Sequence, residues 1–241
     1  MSFLHKWIVS SMFMMLLFVG ADAATFYSRQ TGNWSQTTTW STGSCGGGAA
    51  ASVPTTNDIV FICNTHVVSV TANANVNSVT VQNGGTLTTG TSGGGANKTL
   101  TISGNFILLN GGTYIHNNNQ VAATTVFAGI ETFEANSTFR VSKWSGTTAS
   151  MITGCNSNFG NLILSWNPGL FYWNNNGLGY TRSILGNFTI NNACATYLDD
   201  ANGNKTFSFG GNINVDNGYL RFKQSGTGDV VINLTGALQI L

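Results

Sequence analysis

Beyond residue 23 the carboxylates are Asp58, Glu131, Glu134, Asp199, Asp200, Asp216 and Asp229. Glycoside hydrolysis needs two carboxyl groups about 5–10 Å apart. Asp199-Asp200 and Asp216 lie close enough in sequence to meet across adjacent strands. Arg221 and Lys223 are then the base and charge stabiliser that a polysaccharide lyase would need. Against this, Asp199-Asp200-Ala201-Asn202-Gly203-Asn204 has the composition of a turn. Its position relative to the nearest Gly-Asn step also differs from that of Asp216, which puts the two on different corners. Catalytic residues are therefore expected to be absent, with Asp199, Asp200, Asp216, Arg221 and Lys223 as the enzymatic alternative.

The same Asp-Asn-Gly stretch offers oxygen ligands for Ca²⁺. It lacks the spaced acids of an EF-hand and the nonapeptide calcium repeat, so neither metal nor cofactor is expected. His66 begins a strand, and His116 precedes Asn117-Asn118-Asn119 and reads as a loop residue. Neither sits in a Ser or Cys nucleophile motif, so both read as structural or solvent-facing.

The densest aromatic stretch is Trp166-Asn167-Pro168-Gly169-Leu170-Phe171-Tyr172-Trp173. A strand has two faces, so at least one large ring here should point outward. Exposed rings with polar edges stack on sugars and recur at interfaces. The expected binding patch is Trp166, Tyr172 and Trp173, extended by Trp144. A row of outward Thr and Asn could also suggest ice binding, but the column Thr80, Ile107, Ile163, Thr189 is not regular.

Such residues need a scaffold, and the sequence repeats itself. Asn97-Lys98-Thr99-Leu100-Thr101-Ile102-Ser103-Gly104-Asn105-Phe106 returns as Asn204-Lys205-Thr206-Phe207-Ser208-Phe209-Gly210-Gly211-Asn212-Ile213. Apolar and polar residues alternate around a Gly-Asn step, which is strand, turn, strand. Gly-Asn steps at Gly104, Gly160, Gly186 and Gly211, with Gly236-Ala237 as a degenerate case, are spaced 56, 26, 25 and 25 residues apart. The longer interval is two rungs, the missing step lying near Glu131–Glu134. Two positions after each anchor stand Val79, Phe106, Leu162, Phe188, Ile213 and Leu238. All are apolar, as one inward column should be. The expected fold is an all-β, right-handed parallel β-helix (solenoid) of about seven rungs of 25–28 residues. A β-sandwich is the alternative, but it does not require equivalent apolar positions at that interval.

Composition agrees. Charged residues are 7% of the 241, too few for long solvent-facing helices, while Gly alone numbers 30. A net charge of +1 offers no basic surface for nucleic acid.

His5 and Lys6, an apolar run from Met12 to Val19, and Ala21-Asp22-Ala23 form a secretory signal pattern, cleaved next to Ala24. The run is short of the ~20 residues a membrane span needs. In an oxidising compartment four cysteines favour two disulfides. Of three connectivities, Cys45–Cys63 and Cys155–Cys194 are the local ones. The domain layout is thus signal peptide 1–23, N-terminal cap and first strands 24–66, and β-helix 67–241, truncated at its C-terminus.

Asn33-Trp34-Ser35, Thr39-Trp40, Val53-Pro54-Thr55-Thr56-Asn57-Asp58, Val67-Val68-Ser69-Val70, Val76–Val81 and Gly84-Gly85-Thr86-Leu87 together carry a resemblance. This opening resembles the G8-like, β-helical N-terminal region of large secreted, surface-associated proteins of Bacteroidetes-type bacteria. The resemblance covers about residues 30–110 and implies a cell-surface, adhesin-like role with glycans or other surface proteins as partners. It supplies no catalytic residues. The alternative is a fragment of a β-helix polysaccharide lyase or glycoside hydrolase.

Overall fold

The computed structural model describes residues 23–90, 98–117, 129–143, 148–150, 158–165, 169–172, 180–191, 194–197, 203–222 and 227–240. Among them the chain is all-β apart from one 3₁₀ turn at Thr37–Thr39. Short runs of Val, Ile, Phe and Thr alternate with polar residues and break at Gly, Asn and Ser. This pattern suits strands with one buried face.

The strands stack into parallel sheets and form a β-solenoid. The first sheet orders Glu131–Phe133, Phe106–Leu108, Ser78–Val81, Ile59–Ile62, Thr25–Ser28 and Trp40–Ser41. The second, of nine strands, runs from Gly32–Asn33 through Val67–Val70, Thr86–Thr89, Thr113–Asn117, Thr138–Lys143, Asn161–Leu164, Phe188–Ile190 and Ile213–Val215 to Leu238–Ile240. The third orders Thr148–Ser150, Gly169–Tyr172, Cys194–Tyr197 and Gly218–Arg221. The fourth has Tyr180–Ile184, Lys205–Phe209 and Val230–Leu234, and the fifth pairs Ala74–Val76 with Leu100–Ile102. Among the described strand pairs the exception to parallel pairing is Tyr27-Ser28 against Trp40-Ser41, which is antiparallel. Stacked parallel pairing is not the arrangement of an antiparallel β-sandwich.

The apolar ladder is continuous in the second sheet. Val68, Leu87, Tyr114, Phe139, Leu162, Phe188 and Ile213 are partners in register, and all are buried. The register ends at Leu238, which is exposed. The first sheet supplies a facing column, Val60, Val79 and Phe106. Rings from the two columns meet edge to face, Phe106 on Tyr114 at 5.4 Å, while Tyr114 and Phe139 meet at a tilt along the ladder, 4.9 Å apart. Fully burying such a side chain contributes about 1.5–3 kcal/mol.

The anchors expected to form one column divide between two sheets. Phe106 pairs with Val79 and with Glu131 in the first sheet. Leu162 pairs with Phe139 and Phe188 in the second. The 56-residue interval therefore crosses from one corner of the coil to another. The two copies of the repeated phrase are not on one ladder: Leu100–Ile102 lies in the fifth sheet and Lys205–Phe209 in the fourth. The physical reason is that both corners impose the same chemistry. Each needs a residue without a side chain where the chain above passes close. A Cβ at Gly104 would run into the Asn77 side chain, and one at Gly160 into the Glu134 carbonyl. Gly-Asn marks a tight corner, not a particular corner.

The Asn of the step satisfies the next turn of the coil. Asn161 Oδ1 accepts from the Asn187 amide at 2.9 Å, Asn187 Oδ1 from Asn212 at 2.9 Å, and Asn212 Oδ1 from Ala237 at 3.0 Å. A second corner does the same, with Asn110 Oδ1 accepting from Asn136 at 2.9 Å. Corner amides that leave the sheet pairing thus keep an acceptor.

Candidate functional site

The described carboxylates do not converge. Asp58 is buried and holds the turn before Ile59–Ile62. Its carboxylate accepts from the Ala24 amide at 2.8 Å, the Thr55 amide at 2.6 Å and the Thr55 hydroxyl at 2.8 Å. Glu134 accepts from the Asn110 amide at 2.7 Å, bridging two corners. Glu131 is buried on the inner face of the first sheet. Asp216 is exposed just past Ile213–Val215. Arg221 ends the third sheet's last strand, with its guanidinium 5.6 Å from the centre of the Tyr219 ring. Asp199, Asp200 and Lys223 lie outside the described residues. Asn204 serves as a corner amide, its Oδ1 accepting from the Asp229 backbone at 3.0 Å. Among the described residues no group of three or more His, Cys, Asp or Glu is placed to hold a metal ion.

His116 corrects the loop expectation. It lies in the strand Thr113–Asn117, 2% exposed, on the inner face of the second sheet. Thr89 Oγ1, Tyr114 Oη and His116 Nδ1 form a chain with contacts of 3.1 and 3.3 Å. Burial lowers the His116 pKa to about 4, so the imidazole is neutral near pH 7. Enclosed in the coil, these groups are part of the core.

His66 does have a serine beside it in space. Ser28 Oγ is 2.9 Å from His66 Nδ1, a pair that the 38-residue separation hid. It does not make a nucleophile. His66 Nδ1 is also 3.0 Å from the Ser28 carbonyl oxygen, which only an N–H can satisfy. Ser28 Oγ accepts from the Cys63 amide at 2.7 Å and is fully buried. The pair ties the end of Thr25–Ser28 to the turn after Ile59–Ile62, and the expected Cys45–Cys63 disulfide is formed beside it.

Trp144, Trp166, Trp173 and Cys155 also lie outside the described residues, and Cys194 is described only as a strand position. Tyr172 is placed by register. In the third sheet Ser150, Tyr172, Tyr197 and Arg221 are successive partners, and Phe171, Thr196 and Leu220 form the adjacent column. Thr196 is buried and Leu220 packs against the core, whereas Tyr219 and Arg221 are exposed. The parity of the sheet is thereby fixed. No protein family, curated protein or solved structure matches the chain. The outward column of the second sheet, Ser69, Thr88, Ile115, Arg140, Ile163, Thr189 and Asn214, mixes residue types and has none of the regularity that ice binding requires. Among the described residues no helix is long and apolar enough to cross a membrane.

Proposed function

We propose that the chain is an exported, non-enzymatic β-solenoid module of a bacterial cell-surface protein, adhesin-like, that contacts glycans. In this reading residues 1–23 direct export and residues 24–66 cap a right-handed coil of about seven rungs of 25–28 residues. The partners are surface glycans or other surface proteins. The resemblance to the G8-like region of secreted bacterial β-helix proteins motivates the cell-surface placement.

The observation that carries the binding role is the third-sheet column Tyr172, Tyr197, Arg221. It shares parity with the exposed Tyr219 and Arg221, and neighbouring strands stand ~4.8 Å apart. Aromatic rings and a guanidinium at that repeat suit a polysaccharide chain, whose pyranose faces stack on rings while its hydroxyls take the polar edges. Trp144, Trp166 and Trp173 flank this sheet in sequence.

A glycan array with a parallel reducing-end release assay tests the reading. It expects retention of one or more polysaccharides without release of new reducing ends, and loss of retention in Tyr172→Ala/Tyr197→Ala. Turnover abolished by Asp199→Asn or Asp216→Asn would instead make the chain part of a carbohydrate-active enzyme.

A further inference from the structure

The loop after Trp40–Ser41 forms a strap across the edge of the first sheet. Trp40–Ser41 is the edge strand of that sheet, followed inward by Thr25–Ser28 and then Ile59–Ile62. Cys45 lies in the loop after the edge strand, and Cys63 follows Ile59–Ile62. Their disulfide therefore reaches past Thr25–Ser28 and joins the loop to the turn two strands away.

The strap is Thr42-Gly43-Ser44-Cys45-Gly46-Gly47-Gly48-Ala49. Gly47 is half-buried and the other seven residues are exposed. A segment this rich in glycine gains much backbone freedom when it is released. Away from the disulfide, Arg29 Nε donates to the Gly47 carbonyl at 2.8 Å. The Gly46 amide reaches the Ser28 carbonyl at 3.5 Å, long for a hydrogen bond. The base of the strap is held more firmly. The Ala50 amide donates to the Trp40 carbonyl at 2.8 Å. The Trp40 ring is fully buried, and its Nε1 donates to the Trp34 carbonyl at 2.7 Å. The two sulfurs also differ in access: Cys63 is 2% exposed, whereas Cys45 is exposed. An outside thiol meets the bond from the Cys45 side.

We propose that the Cys45–Cys63 bond is a redox latch on this strap. Oxidised, it holds residues 42–49 closed against Ser28. Reduced, the strap opens about its base at Trp40 and Ala50 while the coil stays folded. Opening frees the Arg29 side chain and exposes Ser28, whose hydroxyl and carbonyl hold the His66 ring. The reductant is a dithiol. One thiolate attacks Cys45 Sγ, the sulfur–sulfur bond breaks, and Cys63 Sγ leaves and takes up a proton. The second thiol of the reductant then displaces Cys45, which takes up the other proton, and the dithiol ends as a disulfide. A small disulfide runs the exchange in reverse and closes the strap.

Backbone order parameters of the folded chain test this by NMR, with dithiothreitol as the reductant and glutathione disulfide as the oxidant. In the oxidised chain residues 43–48 should be rigid, with order parameters of about 0.85, and on reduction they should fall below about 0.6. The hydrogen-bonded Arg29 Nε–H signal should be lost at the same time. The Trp40 indole and the Phe106 and Leu162 amides, all hydrogen-bonded, should keep their order and their shifts. Glutathione disulfide should restore the rigid strap. Cys45→Ser should match the reduced parent without any reductant, which separates this bond from any effect of Cys155 or Cys194. If that variant fails to fold, the redox titration of the parent still decides. The proposal is overturned if residues 43–48 are equally ordered in the two states, if order is lost at Trp40, Phe106 and Leu162 as well, or if reoxidation leaves the strap mobile. Neither glycan contact nor export enters these measurements.

Discussion

His116 shows how a single buried side chain sets the pH behaviour of the molecule. Its folded pKa is about 4 against an ordinary value of 6.5. Between those values the unfolded chain takes up a proton that the folded chain refuses. Stability is therefore fully present above about pH 6.5 and falls as pH drops toward 4, by about 3 kcal/mol in all. Denaturant titrations at pH 7 and pH 4 should show this loss in the parent. His116→Leu, which cannot titrate, should lose about 3 kcal/mol less over the same interval. Equal losses in the two chains would remove His116 as the source. The sequence reads His116 as structural or solvent-facing and places it in a loop. The Asn run that follows it suggested a turn, whereas Tyr114 and His116 occupy alternate inward positions of one strand.

At the scale of the element, the corner is the unit that the sequence repeats, and close approach of backbone is what its glycine answers. A Cβ at Gly129 would run into the Gly104 carbonyl of the preceding turn, which is backbone and cannot swing aside. Gly129→Ala should destabilise by about 1–3 kcal/mol in denaturant titration, as overpacking does. Gly48→Ala, at an exposed loop position with nothing near its Cβ, should stay within about 0.5 kcal/mol of the parent. If both substitutions behave alike, close stacking at the corners is not what selects glycine. The same chemistry explains what was legible. Alternation and Gly-Asn spacing disclosed parallel stacked strands and inward columns, and the nearness of Cys45 and Cys63 in sequence disclosed their disulfide. They did not disclose which corner a given Gly-Asn occupies, because both corners select the same residues. The Ser28–His66 pair was also hidden, since the two residues meet only when separate turns of chain are brought together. At the candidate site, the register sets Tyr172 beside Tyr197 and Phe171 beside the buried Thr196.

For the whole molecule, the account rests on one register that carries the inner ladder, the corner amides and the third-sheet column together. That register makes Arg140 and Ile163 neighbours across adjacent strands of the second sheet. It places Thr132 in the first sheet, beside Ile107. The two sheets turn their inner faces toward each other, through the Phe106–Tyr114 and Phe133–Phe139 ring contacts. Their outer faces therefore point apart. A single-column solenoid, with Gly104 and Gly160 at one corner, would instead put Thr132 next to Ile163. Spin labels on paired cysteines separate the two arrangements directly, with singly labelled chains as the baseline. Labels at Arg140→Cys and Ile163→Cys, on strands ~4.8 Å apart, should give strong dipolar broadening. Labels at Thr132→Cys and Ile163→Cys should give little. Broadening in the second pair and not in the first would contradict the register and the surfaces built on it.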